Sequence, residues 1–306
     1  MNASKTPGLI RERQERMAPY LLIAPAVIYY AIFWLFPVLN AISGSFLSAP
    51  LKQGGEWTLK NYAAVFTDSM FYRALINTAI IVVVSVSLEF VLAFALALLI
   101  NKKFRGSSLF LFLAIIPMSL PAVAVGAMWN SGLATNGWLN SALVHLGILG
   151  EAEKIPFLAG GQGANILLII LVDAWQVIPF MMIILLSGMQ GLKPEMAEAG
   201  RVFGGTRWQV LHKITIPMLK QTIVTAMILR IIAAIQIWLI IVMIFGFNRL
   251  PVLMEQIVVN VDLYTAETFF RKGMALSVLV ALIVSLASVA YLKASGALGA
   301  KKEEAS

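Results

Sequence analysis

The sequence contains no cysteine, and only two of its 306 residues are histidine. Disulfide bonds, zinc–thiolate clusters and thiol nucleophiles are therefore excluded, and two histidines cannot form a multi-histidine metal site. Charged residues make up only 12% of the chain, whereas hydrophobic residues make up 60%. This composition is far too apolar for a soluble domain and predicts a membrane protein.

The chain also lacks the sequence Gly-x-x-x-x-Gly-Lys-[Ser/Thr], and it has no Gly-Lys pair at all. A phosphate-cradling nucleotide-binding loop is therefore absent. No serine, histidine and aspartate set, and no pair of carboxylates, is placed where it would meet substrate and water in a soluble cleft. The sequence thus predicts no enzymatic activity for this chain and no cofactor bound by it.

Six apolar runs are long enough to cross a bilayer, which requires about 20 residues of helix. They cover approximately residues 19–42, 74–100, 108–128, 164–189, 218–247 and 273–292. A cleaved signal peptide is the alternative for the first run, but its apolar region usually has only about 7–15 residues, so an uncleaved anchor is expected. The prediction is an all-α polytopic protein with a transmembrane domain at 19–293 and tails at 1–18 and 294–306.

Lysine and arginine are concentrated in alternate segments between these runs. If the N-terminal tail is inside, 15 of the 23 basic residues lie in inside segments, seven lie outside, and Arg230 lies within a span. This bias predicts that both termini are cytoplasmic, as is the polar segment between the fourth and fifth spans. We therefore attribute the net charge of +8 to membrane topology rather than to nucleic-acid binding.

The segment 191–217, between the fourth and fifth spans, is the longest polar stretch with clear helix-start and helix-stop residues. Pro194 suits the first turn of a helix, and Gly204 can adopt the left-handed conformation that ends one. Thr206 and Gln209 have the spacing of a capping box that begins a second helix. The pattern predicts a helix, a glycine turn and a helix, which on this evidence could simply lie on the lipid surface.

This segment resembles the Glu-Ala-Ala loop of ATP-binding-cassette importer permeases. The matching positions are Glu198-Ala199-Gly200, Gly204 and Ile214-x-Ile216-Pro217. Gly200 and Ile216 replace the Ala and Leu of the family pattern. Further matches lie at Phe94–Lys102, Phe104–Gly106, Ile115–Pro117, Pro121, Trp175, Pro179-Phe180 and Leu192–Glu195. Together they extend the resemblance over about 72–217 and indicate the carbohydrate-uptake type, maltose-F-like or glycerol-phosphate-A-like.

The resemblance implies a permease subunit of the cytoplasmic (inner) membrane, surrounded by lipid, that has no ATPase of its own. Its implied partners are a second permease subunit, an ATPase dimer that binds ATP and magnesium, and an extracytoplasmic solute-binding protein that delivers a small-molecule substrate. Segment 191–217, hereafter the coupling segment, would contact the ATPase. The residues implied in this coupling are Glu195, Ala197, Glu198, Ala199, Gly200 and Gly204.

The resemblance also implies a substrate pathway. Positions that contact sugar in the maltose permease correspond to Asp173, Val177 and Phe180, and a further position falls near Gln236. Asp173 and Phe180 are seven residues apart, so they share one face of the fourth span. The family's Thr-Gly-Gly-Gly-Pro turn is missing after the fifth span, so the resemblance does not determine the identity of the substrate.

Three charged residues lie within apolar runs: Glu89, Asp173 and Arg230. A charge at membrane depth costs about 2.5–3.5 kcal/mol on insertion scales. These residues could form a structural pair, for example Asp173 with Arg230, or Asp173 could lie on the substrate route. They also leave two other functions open: a secondary transporter that uses the carboxylates, or a membrane enzyme with Glu89 and Asp173 as acid and base.

Overall fold

The computed structural model describes residues 7–50, 53–263 and 267–296, and within these ranges every extended regular element is a helix. The first long helix consists of α1 (Pro7–Tyr30), a π-helical segment (Ala31–Leu35) and α2 (Phe36–Ser45). Pro37 has no N–H group to bond the carbonyl of Phe33, which accounts for the irregular turn before α2.

The helices that follow surround two long central ones, α4 and α8. In chain order they are α3 (Lys60–Phe66), α4 (Ser69–Asn101), α5 (Ser107–Ile115), α6 (Ala122–Leu133), α7 (Trp138–His145), α8 (Gln162–Gln190), α9 (Pro194–Val202), α10 (Arg207–Val210), α11 (Ile216–Met218), α12 (Lys220–Ile235), α13 (Leu239–Phe245), α14 (Leu253–Val258) and α15 (Glu267–Ala294). Further π-helical segments lie at Leu211–Thr215 and Val259–Leu263.

The core forms where α4 packs along α8 and α12 contacts both. The small side chains of Ala93 and Ala97 allow α4 to approach closely, and Met181 and Leu185 of α8 fill the space between the helices. A second apolar cluster joins α8 to α6 and α13, whereas α15 packs against α2 and α3. The N-terminal and C-terminal described helices therefore lie side by side.

Four helices of the described chain are long and apolar enough to cross a membrane: Ala18–Ser45, Ser69–Asn101, Gln162–Gln190 and Phe269–Ala294. They coincide with the first, second, fourth and sixth predicted runs. Two bent helix pairs, Ser107–Ser119 with Ala122–Leu133 and Arg207–Met218 with Lys220–Ile235, raise the number to six if each pair is one span. The all-α membrane class is thus confirmed, and the count of six stays a prediction.

The third run bends by 95° rather than crossing as a straight helix. The bend lies at Leu120, whose backbone is extended because the ring of Pro121 disfavours the helical conformation at the preceding residue. The carbonyl that the break leaves free accepts a 2.9 Å hydrogen bond from the side-chain amide of Gln176. The bend is therefore held by α8.

The fifth run, 218–247, is not one continuous helix as the sequence suggested. α12 ends at Ile235 and α13 begins at Leu239, although neither glycine nor proline lies between them. α13 instead packs against α6, where Gly126 leaves room for the side chain of Met243. Packing against a neighbouring helix, rather than a local helix breaker, accounts for this interruption.

Candidate functional site

The coupling segment folds as its sequence predicts, into a helix, a glycine turn and a second short helix. α9 begins at Pro194, and Gly204 follows it with a φ of +81°, the left-handed conformation that glycine adopts without strain. The N–H of Gly205 donates to the carbonyl of Gly200 at 3.0 Å and closes the turn. Both hydrogen bonds of the capping box between Thr206 and Gln209 are present, at 3.2 and 2.8 Å.

Gly200 lies on the inner side of this turn. A Cβ atom there would collide with Ile214 and lie 3.2 Å from Val210, both from the segment that returns towards α12. The small residue therefore lets the two halves of the coupling segment pack against each other. Ala197 is half-buried, while Glu195, Glu198 and Ala199 are exposed.

Large apolar side chains also lie on the outer side of the coupling segment. Phe203 is 89% exposed, Val202 is 85% exposed and Trp208 is 69% exposed. The Trp208 ring packs on His212, 3.8 Å away between centroids, but otherwise this surface has open space around it. Apolar groups this exposed at a helix turn indicate a contact surface for another molecule.

The three charged residues of the spans lie together in the core, at the meeting point of α4, α8 and α12. Arg230 donates from Nε to Oε2 of Glu89 at 2.5 Å and from Nη2 to Oε1 at 2.9 Å. Its Nη2 also donates to Asp173. Ser85 completes this buried charge cluster: its hydroxyl lies 2.8 Å from Oε1 of Glu89 and 3.2 Å from Oδ2 of Asp173 and can donate its proton to either carboxylate.

The buried charge cluster is closed to solvent, since Glu89, Asp173 and Arg230 are only 0%, 4% and 2% exposed. Each carboxylate is hydrogen-bonded, so the cost of burying it is offset within the protein. An acid–base pair for catalysis would need access to substrate and water, which this conformation does not provide. Both the suggested Asp173–Arg230 pair and the previously unassigned Glu89–Arg230 pair are present.

The other residues of the predicted pathway are more open than Asp173. Val177 is half-buried, whereas Phe180 and Gln236 are exposed. Phe180 follows Pro179 on α8, and Gln236 lies at the break between α12 and α13. Asp173 shares its helical face with Phe180, but its side chain faces Arg230. Three of the four predicted pathway residues are thus not buried within this chain, and their role stays a prediction.

Sequence reasoning missed a set of buried polar contacts near the start of α8, at the end of this helix that is farther from the coupling segment. Gln162 of α8 donates to Asn77 of α4 at 2.6 Å, and Asn77 donates to the carbonyl of Pro251 at 2.9 Å. Buried Glu255 accepts from the N–H groups of Asn248 at 2.5 Å and Val252 at 3.2 Å. Burial raises the pKa of Glu255, while these donors favour its charged form. A polar residue such as Asn77 near the start of an apolar run was the available signal.

The chain matches the family described as "binding-protein-dependent transport system inner membrane component" over residues 89–295. It belongs to this family. It is 26% identical over 290 residues to the trehalose/maltose transport system permease protein MalF of Thermococcus litoralis, covering 92% of this chain and 94% of that protein. It is 30% identical over 223 residues to the lactose transport system permease protein LacF of Rhizobium radiobacter, covering 72% and 73%.

The fold is also found in a solved structure, a bacterial ABC transporter involved in importing the acidic polysaccharide alginate. The two chains superpose with a TM-score of 0.80 at 19% identity, covering 94% of this chain and 98% of the other. These comparisons confirm the permease fold and the multi-pass membrane location that the sequence predicts. As a member of this family, the chain is a membrane component of a transport system.

Proposed function

We propose that the chain is one permease subunit of an ATP-driven importer for a sugar or a sugar-like polyol. The observation that carries this proposal is the exposed apolar surface of the coupling segment, on a chain without a nucleotide-binding loop. Such a chain needs a partner that hydrolyses ATP, and this surface is suited to contact one. The sugar class is supported by relatives named as trehalose/maltose and lactose permeases.

The proposed topology has six spans within 19–293, with the tails at 1–18 and 294–306 and the coupling segment at 191–217 all in the cytoplasm. The bent pair Ser107–Ser119 with Ala122–Leu133 then counts as one span, whereas Lys220–Ile235 belongs to the fifth span and residues 207–217 belong to the coupling segment. The distribution of basic residues supports this orientation. It places the coupling segment on the side of the membrane where ATP is available.

In the proposed mechanism, an ATPase dimer binds ATP and magnesium and moves α9 as it closes. Glu195, Glu198 and Ala199 are exposed on this helix, whereas Ala197 and Gly200 connect it to the rest of the chain. The second half of the coupling segment leads directly into α12, which carries Arg230. Movement of α9 would therefore be transmitted to the core helices, and so to the substrate route.

A second permease subunit is proposed to complete the pathway. From Ala18 to Ser43 no residue is buried by the described part of the chain, so lipid and the partner subunit would cover this surface. Val177, Phe180 and Gln236 would contribute this chain's half of the substrate route, where a ring and an amide suit a polyhydroxylated ligand. An extracytoplasmic solute-binding protein would deliver that ligand.

The secondary-transporter alternative receives less support. Its carboxylates, Glu89 and Asp173, are enclosed and bonded to Arg230 and Ser85, with no open route for an ion in this conformation. The two proposals differ in their energy source. Uptake by the assembled importer should stop when ATP is withheld and should continue when a protonophore abolishes the ion gradient.

The coupling role is tested with Gly204→Val. Valine is β-branched and resists the positive φ at this position, where left-handed backbone costs an ordinary residue about 1–2 kcal/mol. We expect the variant complex to assemble poorly, or to lose about tenfold of the ATP hydrolysis that the binding protein stimulates in reconstituted vesicles.

The matched control is Gly147→Val, since Gly147 has a φ of +69° and, like Gly204, no atoms within 4 Å of an added Cβ. It lies in the connection between α7 and α8, which the proposed topology places outside. The control should retain stimulated hydrolysis. Equal activity and equal assembly of the two variants would contradict the coupling role.

A further inference from the structure

A cavity of about 920 Å³ lies between the coupling segment and the last turns of α4 and α8. Its volume falls within the range of roughly 300–1,000 Å³ that is typical of small-molecule sites. Because α4 and α8 are both candidate spans, the cavity lies where two apolar helices leave the membrane. Two residues of the proposed coupling set, Ala197 and Glu198, are among its lining residues, but the coupling role does not account for the cavity itself.

Five basic residues line the cavity, and they come from three separate parts of the chain: Lys102, Lys103, Lys193, Arg201 and Arg207. Among the described residues that line it, Glu198 is the only acidic one. Within the described part of the chain, none of the five cations forms an ion pair or a side-chain hydrogen bond. The positive-inside rule accounts for cations on this side of the membrane, but not for their convergence on one concavity with so little opposing charge.

The wall of the cavity nearest the core is apolar, with Leu98, Met189 and Met218 among its residues. A hydrated inorganic anion gains nothing from such a wall, whereas an amphiphile places its acyl chains there and its charged group at the basic rim. The backbone of Lys103 indicates that this part of the basic rim has a specific conformation, because its φ of +50° is uncommon for a non-glycine residue. This conformation turns the chain immediately after the end of α4.

We propose that this cavity binds the phosphate-bearing headgroup of an anionic membrane lipid, with the basic residues around the phosphate and the acyl chains along the apolar wall. The inference rests on the proposed topology, because only that topology puts the cavity at the cytoplasmic leaflet, where anionic lipids attract basic segments. A lipid seated there touches both α9 and α4. It would therefore hold the coupling segment against the core.

The test measures lipid binding to the assembled complex in neutral detergent, by thermal stabilisation and by native mass spectrometry. The probes are a short-chain phosphatidylglycerol, the matching phosphatidylcholine and inorganic phosphate. Phosphatidylglycerol should bind saturably and stabilise the complex, and the other two should not. In Lys102→Gln/Lys103→Gln the apparent affinity should fall by about 30-fold, since each basic residue near an anionic surface contributes roughly fivefold.

The matched control is Lys213→Gln/Lys220→Gln, which removes the same charge from exposed lysines of the same side that do not line the cavity. It should leave the affinity within about twofold of the original. Lys102→Arg/Lys103→Arg should restore binding, which separates loss of charge from loss of folding. Equal stabilisation by inorganic phosphate, equal loss in both glutamine variants, or no effect of phosphatidylglycerol would each overturn the proposal.

These readouts do not depend on transport or ATP hydrolysis. A complex that binds phosphatidylglycerol but shows no coupled ATP hydrolysis would contradict the proposed function and leave the lipid site standing. A complex that transports sugar but binds no anionic lipid in the cavity would contradict the lipid site and leave the proposed function standing.

Discussion

The buried charge cluster and the coupling segment differ in a way that reverses the usual arrangement of a soluble protein. In the core, two carboxylates and a guanidinium lie with almost no exposed surface. On the coupling segment, Phe203 is 89% exposed and Trp208 is 69% exposed. Charge is inside and large apolar side chains are outside.

This difference indicates whether each region makes its contacts within this chain or with another molecule. The charged groups are already hydrogen-bonded to one another across α4, α8 and α12, so they connect helices within this chain. Val202 and Phe203 of the coupling segment are more than four-fifths exposed, and Trp208 contacts only His212 among the described ring pairs. The first region should therefore govern the stability of the subunit, and the second should govern its association with other proteins.

Arg230→Met should have the largest effect on the stability of the subunit, because it leaves two carboxylates buried without their counter-charge. Removing one member of a buried ion pair typically costs about 3–5 kcal/mol. We expect the melting temperature to fall sharply, or the complex not to assemble. Lys220→Met is the control on the same helix, and since Lys220 is exposed it should change stability by less than about 0.5 kcal/mol. Equal melting temperatures for both variants would show that the cluster is not a structural element.

Asp173→Asn should have a smaller effect, because Glu89 still forms two hydrogen bonds with Arg230. We expect a loss of about 1–3 kcal/mol, the usual range for weakening a buried hydrogen bond that involves a charge. Uptake and melting temperature should be measured on one preparation of the variant complex. Reduced uptake with an unchanged melting temperature would instead place Asp173 on the substrate route.

Phe203→Ser should have the smallest effect on stability, within about 0.5 kcal/mol, since the ring is exposed in the isolated chain. Its effect should be on association, measured as the amount of ATPase that co-purifies with the permease. Trp57→Ser is the control, because Trp57 is also exposed but lies between α2 and α3. If as much ATPase co-purifies with the Phe203→Ser variant as with the original chain, the ring of Phe203 does not contribute to the contact with the ATPase.

The sequence predicted those features that depend on local composition or on short spacings. Long apolar runs predicted the four unbroken spans, and the positions of Pro194, Gly204 and Thr206 predicted the form of the coupling segment. These features are determined within a few residues of chain by helix starts, stops and caps. They need no knowledge of the neighbouring helices.

Features that depend on contacts between distant helices were not predicted. The interruption after Ile235 has no glycine or proline to indicate it, and the pairing of Glu89 with Arg230 joins residues that are 141 positions apart. The periodicity of a helix shows which of its residues share a face, but not which helix that face will meet. Gly200 illustrates the same limit, since its inward position follows from Ile214 packing back across the turn.

The contact between α2 and α15 has a consequence for the biosynthesis of the chain. Gly44 lies so close to Met274 and Arg271 that a side chain there would collide with both, so α2 has its place against the last described helix. The first span leaves the ribosome long before this neighbour exists. Until α15 is made, the face of α2 around Gly44 lacks its partner within the chain, and the bundle cannot close. A chain truncated before α15 would keep that surface uncovered, a defect by which membrane quality control could recognise an unfinished permease.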